Sequence, residues 1–224
     1  MKLKFTLLMI AIGIICPRFY SQSFEGIVTG SLTAVAVPAE MQGMEAMFNQ
    51  TLTAYYKGEK MRMEITSAMQ TTVVLANYNA KEVTVLMNMM GNKWAMKEQL
   101  TEEDMPGMNL EFEGTELDFS DETRIIAGQT CKKVTIRAPK EEGMEEPFVM
   151  VMWYAPGISL ENQKSPIPGT PMEYEMSING ITMRYQVTSV KKEPVSDSQF
   201  VIPADYPVKT KEEVEKMFPS MGED

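Results

Sequence analysis

Thioether sulfur is the chemistry this chain offers in quantity. It carries 22 Met, 2 Cys and no His in 224 residues. Without imidazole, the commonest general base and the commonest metal ligand are missing, and a His-based triad cannot be built. Thioethers can do two things. They select Cu(I) among biological metals, and they re-pack around apolar guests of varied shape. Spacing separates the two uses. Met61/Met63, Met87/Met89, Met150/Met152 and Met172/Met176 stand at even separations, with Met183 just beyond Asn179-Gly180. Even separations place side chains on one face of a strand. Met41, Met44 and Met47 instead recur every third residue. That spacing gathers three sulfurs on a helical face or in a folded loop.

The remaining reactive side chains form no recognisable catalytic set. Ser189-Val190-Lys191-Lys192 contains Ser-x-x-Lys, but on a predicted strand and without the companion motifs of penicillin-binding enzymes. Glu102-Glu103-Asp104, and Glu141-Glu142 with Glu145-Glu146 around Gly143, read as solvated acidic turns. The calcium-loop pattern matches nowhere. No enzyme and no cofactor is expected.

The methionines must be positioned by strands, because the chain's dominant period is two. Strands are predicted at 24–32, 52–56, 61–66, 71–76, 83–89, 94–97, 132–137, 148–154, 173–178 and 181–190. Asn179-Gly180 between alternating runs is a strong hairpin signal, because both residues tolerate positive φ. Arg62, Glu64, Glu173, Glu175, Thr182 and Arg184 alternate with the methionines, giving one apolar and one polar face. The expected fold class is mainly β, an antiparallel meander. A weak helix is predicted over 38–48, and a single turn over 101–105. Thr210-Lys211-Glu212-Glu213 forms a capping box ahead of Val214, Met217 and Phe218, so a short C-terminal helix is expected. Residues 155–171 are rich in Pro and Gly and read as a long crossing loop.

The first residues read as an export signal. Met1-Lys2-Leu3-Lys4 is basic, Phe5 to Cys16 is apolar, and Pro17-Arg18 ends the run. Cleavage after Ser21 leaves residues 22–224 as one domain. The rival reading is lipid anchoring at Cys16, although Ile15 is bulky for that processing. The apolar run is shorter than the roughly 20 residues a spanning helix needs, and no later segment qualifies, so the protein is not expected to be integral to a membrane. Its destination is then the periplasm or the extracellular space. The net charge is −10, and the predicted signal contains only basic charges, so the exported chain is more acidic still. That excludes nucleic acid as a partner on electrostatic grounds. Only Cys131 remains after cleavage, so it reads as a small buried hydrophobe.

Several stretches together resemble the exported bacterial family of domain of unknown function 4412. They are Asp121 to Val134, with its Ile126-Ala127-Gly128-Gln129-Thr130-Cys131-Lys132-Lys133 core, then Val151 to Pro156, Pro168 to Tyr174, and Phe200 to Tyr206. The resemblance covers about Phe24 to Tyr206. It implies an architecture similar to the lipoprotein carriers LolA and LolB: an open antiparallel half-barrel, with short helices in loops and near its mouth. From these readings the expected function is an exported, non-enzymatic protein that holds a lipid or lipoprotein acyl chain. The expected lining is Met61, Met63, Met87, Met89, Met150, Met152, Met172, Met176 and Met183. One alternative is a Cu(I)-buffering envelope protein using Met41, Met44 and Met47. Another is a structural or stress-response envelope domain whose core is merely rich in methionine.

Overall fold

The computed structural model describes residues 24–99, 115–139, 148–158, 166–178 and 180–217. The predicted signal, the turn at 101–105, the acidic runs at 102–104 and 141–146, and Cys16 lie outside them. Twelve strands form one sheet. In chain order they are β1 (Gly26–Ala36), β2 (Gln50–Lys57), β3 (Lys60–Thr66), β4 (Gln70–Asn77), β5 (Glu82–Met89), β6 (Asn92–Gln99), β7 (Glu116–Ile126), β8 (Gln129–Ala138), β9 (Phe148–Ala155), β10 (Thr170–Ile178), β11 (Ile181–Lys191) and β12 (Val208–Lys209). Every predicted strand is present within a few residues of its expected bounds.

The lateral order is β12-β6-β5-β4-β3-β2-β1-β11-β10-β9-β8-β7. The outermost strands, β12 and β7, do not pair, so the sheet stays open as a half-barrel. All pairings are antiparallel except β12 on β6. The expected antiparallel meander is present, in two runs, β1–β6 and β7–β11, joined where β1 pairs with β11. Glycine permits that joint. A Cβ at Gly26 would overlap the Lys191 carbonyl oxygen, and one at Gly30 would stand 2.9 Å from the Gln186 carbonyl oxygen. Glycine inside a strand marks just such a close backbone approach.

Two tight hairpins use positive φ at both central residues, the geometry that matches strand twist. They are Met90-Gly91 (φ 51° and 90°) and Ala127-Gly128 (φ 48° and 77°). Strand β7 escaped prediction because Glu116, Asp118, Asp121 and Glu122 blur its alternation. It is an edge strand, where charge discourages pairing with other chains. The predicted helix over 38–48 is two short 3₁₀ turns instead, Ala39–Met41 and Glu45–Phe48. Gly43, at φ 86°, interrupts what would have been a helix.

After β11 the chain crosses, as a strap, the face of β2–β6 that carries Arg62 and Glu64. Lys57 and Lys60 meet Asp197 at 2.9 and 3.4 Å, and Arg62 donates to the Gln199 carbonyl at 3.4 Å. Ile202 and Tyr206 pack on Val73, Leu75, Leu86 and Ala95. Lys93 pairs with Asp205, and the Ala95 amide donates to the Pro207 carbonyl at 2.9 Å. β12 follows, then the capping box. The Thr210 amide donates to Glu213 Oε2 at 2.7 Å, and the Glu213 amide donates to Thr210 Oγ1 at 3.2 Å. This starts the helix α1 (Lys211–Met217) where the sequence predicts it.

Candidate functional site

Strand register decides which methionines share a face, because cross-strand partners point the same way. Ala54, Met63, Val74, Val85 and Met96 form one row across β2–β6. Tyr56, Met61, Ala76 and Val83 form the next row toward one end, and Leu52, Ile65, Thr72, Met87 and Trp94 the next toward the other. Met89 lies two residues beyond Met87. Across the joint, Val28 continues the Ala54 row, and Ala34 pairs with Met183, which pairs with Met176. Tyr174 pairs with Met152, which pairs with Val134, and Ile136 pairs with Met150. Met172 sits at the register shift between Pro171 and Glu173, and it joins this face by packing with Val28, Met61 and Val187. All nine predicted lining methionines therefore belong to one face of the sheet.

Burial divides them. Met152 and Met172 have no exposed surface, and Met61, Met150 and Met183 are buried. Met63, Met87, Met89 and Met176 are half-buried. The buried ones follow the packed clusters. One joins Phe24, Val28, Tyr56, Met61, Ile126, Cys131, Ile158, Met172 and Val187 at the end of the sheet where β1 begins. Another joins Val134, Ile136, Met150, Met152, Tyr154 and Ile167. On β2–β6, by contrast, Leu52, Met63, Ile65, Val74, Val85, Met87 and Met96 remain half-buried together. The aliphatic members and Met96 are not among the residues the methionine pairs predict. They occupy the same alternating positions, so the signal was there.

Two sulfurs on this face accept hydroxyl hydrogen bonds. Thr72 Oγ1 donates to Met87 Sδ at 3.0 Å, and Tyr78 Oη donates to Met61 Sδ at 3.8 Å. Burial pushes the Tyr78 hydroxyl up to about 12, and it pushes Tyr56, Tyr174 and Tyr185 up as well. These rings therefore act as neutral, mostly apolar surface. By register Glu98, paired with Val83, brings one carboxylate to the margin of this face. On the opposite face Arg184 meets Glu175 at 2.6 Å and Arg124 meets Glu173 at 2.6 Å. There the strap leaves a cleft of about 380 Å³ over Lys60, Leu75, Thr84 and Lys97, roofed by Phe200 and Ile202.

Met41, Met44 and Met47 lie outside the strands, in the connection between β1 and β2, whose second turn packs on β1. Met44 and Met47 are 42% and 55% exposed. Cys131 is buried, as expected, and burial raises its thiol above the ordinary value. Among the described residues, no group of three His, Cys, Asp or Glu could hold a metal ion. None of their helices is long and apolar enough to cross a membrane.

The chain matches no protein-family model and no curated protein. Among solved structures, it is similar to LprF from Mycobacterium bovis, at 9% identity and a TM-score of 0.38, over 83% of this chain and 91% of that one. It is also similar to a putative outer membrane lipoprotein-sorting protein domain from Vibrio parahaemolyticus, at 10% identity and a TM-score of 0.33, over 79% and 89%. Likenesses this distant transfer no ligand and no activity.

Proposed function

We propose that this is an exported, non-enzymatic binding protein that holds an apolar ligand, a lipid or lipoprotein acyl chain, on the methionine face of β2–β6. One observation carries the reading. Seven apolar side chains in register on five adjacent strands are all only half-buried: Leu52, Met63, Ile65, Val74, Val85, Met87 and Met96. Covering such a surface with hydrocarbon gains ~0.8 kcal/mol per CH₂ buried. Met63, Met87, Met89 and Met176 supply adaptable contact. Met61, Met150, Met152, Met172 and Met183 form the packed floor and flank. The polar groups near the centre of the surface are a Thr hydroxyl and buried phenols, with the Glu98 carboxylate only at the β6 margin, which suits an acyl chain better than a charged metabolite. The acidic chain, at net −10, disfavours nucleic acid.

The test is native mass spectrometry of the chain from its own envelope, with titration by a fluorescent fatty acid. Bound lipid is expected, with probe fluorescence that saturates. Met87→Leu should leave affinity within about threefold, and Met87→Glu should lower it at least tenfold, because a buried charge is costly. Absence of lipid in both measurements would overturn the proposal in favour of a domain whose methionines only pack.

A further inference from the structure

The connection from β1 to β2 has chemistry the lipid reading does not use. The Met44 amide donates to the Met41 carbonyl at 3.0 Å, and the Met47 amide donates to the Met44 carbonyl at 2.9 Å. Each bond closes a four-residue turn whose end Cα atoms lie within ~7 Å of each other. In the second turn, the 3₁₀ geometry also superposes the side chains at i and i+3. Three methionines are thus carried on two consecutive turns. Gly43, at φ 86°, lets the first turn reverse without strain.

The backbone of this coil is tied down at both ends. The Ala34 amide donates to Asn49 Oδ1 at 3.1 Å. At the other end Pro38 lies so close to Gly180 that a Cβ there would come within 3.2 Å of Pro38 Cγ. Within the coil the Gly43 amide donates to Glu45 Oε1 at 3.2 Å. Contacts within the chain therefore fix the turn geometry, which lowers the ordering cost of binding a ligand. Met41 is partly buried at the start of the coil. Met44 and Met47 are instead 42% and 55% exposed.

We propose that this coil is a Cu(I) site, with the sulfurs of Met41, Met44 and Met47 as three soft donors. Thioethers favour Cu(I) over harder divalent ions. The carboxylate of Glu45 adds a negative charge within the same turn. The site lies on a different element from the methionine face, so it stands or fails independently of lipid binding.

The experiment uses the whole chain with ¹³C-labelled methionine methyls. It is titrated anaerobically with Cu(I) held by a competing chelator, and in parallel with Ag(I) as a redox-inert soft probe. The expected result is one equivalent bound, with the methyls of Met41, Met44 and Met47 shifting before those of Met69 and Met90. Those two are 61% and 80% exposed on other turns and serve as internal controls. The double variant Met44→Leu/Met47→Leu, which keeps side-chain volume, should lose at least tenfold in affinity. Shifts spread evenly over Met69 and Met90 would overturn the proposal. Unchanged affinity in the double variant would do so too. The labelled unmutated chain decides even if the variant folds poorly.

Discussion

Lys57 and Asp197 are 140 positions apart in sequence and 2.9 Å apart in the fold. Together with Lys60, they fasten the C-terminal strap to the outside of the sheet. The strap covers Val73, Leu75, Leu86 and Ala95, a stripe that would otherwise face water on the side opposite the methionines. The protein thereby keeps one apolar face covered and leaves part of the other available.

The fastening should be acid-sensitive. Hydrogen bonds from Lys57 and then Lys60 hold the Asp197 carboxyl below its ordinary value of 3.8. A lowered folded pKa means the contribution is complete above the unfolded value and is lost as pH falls through the folded one. The protection factor of the Ala95 amide, which donates to Pro207, should fall below about pH 4. Asp197→Asn should show faster exchange already at neutral pH, with little change in global stability, because exposed ion pairs contribute little. Identical exchange in both proteins at pH 7 would contradict this.

Gly26→Ala should disrupt the joint between the two meanders. Its Cβ would overlap the backbone oxygen of Lys191 and crowd the Phe24 ring. The Lys191 oxygen is part of the backbone and cannot rotate away. A loss of about 3 kcal/mol or more is expected in urea unfolding. The effect of the same change at Gly58, where nothing lies within 4 Å, should come only from its φ of 55° and be smaller.

The methionines should separate by chemistry as they do by burial. Met152→Ala leaves a cavity in a fully buried position and should cost about 2–5 kcal/mol. Met63→Ala, at a half-buried position, should cost less than about 2 kcal/mol. Under mild peroxide, peptide mapping should find sulfoxide at Met63 and Met87 well before Met152 and Met172. Bound fatty acid should slow the first pair only. Equal rates at all four would mean that the β2–β6 face is not accessible.

The tyrosine cluster predicts a steep alkaline limit. Tyr56, Tyr78, Tyr174 and Tyr185 all have pKa values raised by burial above 10. A raised folded pKa gives a contribution that is intact below the unfolded value and lost as pH rises toward the folded one. Stability should therefore be level through neutral pH and fall above about pH 10. The ultraviolet phenolate signal of these residues should emerge together with unfolding. Phenolate formation in a still-folded protein would show that the cluster is open to water.

Much of this architecture is legible in the chain because local physics and burial agree. The strand at 61–66 alternates Met61 and Met63 with Arg62 and Glu64, and period two means one face. The capping box at Thr210 and Glu213 works by contacts three residues apart, so it too is visible locally. Strand β7 was not, because an edge strand needs little apolar alternation and its acids serve to keep other chains away. The half-buried Leu52, Ile65, Val74 and Val85 were legible as strand residues but not as a surface. Nothing in their type distinguishes a filled position from an open one.

By itself, then, the sequence determined the strands, the shared face of the methionines, the buried free Cys131 and the absence of imidazole chemistry, all properties of composition and short-range period. Tertiary structure decided the rest. Pairing of β1 with β11 joined two meanders across more than 150 residues, possible only because glycine allows the backbones to meet. The strap, carried by contacts of similar separation, covered one face. What packs above each strand then decided which methionines became core and which stayed half-buried, and that depends on neighbours no local pattern encodes.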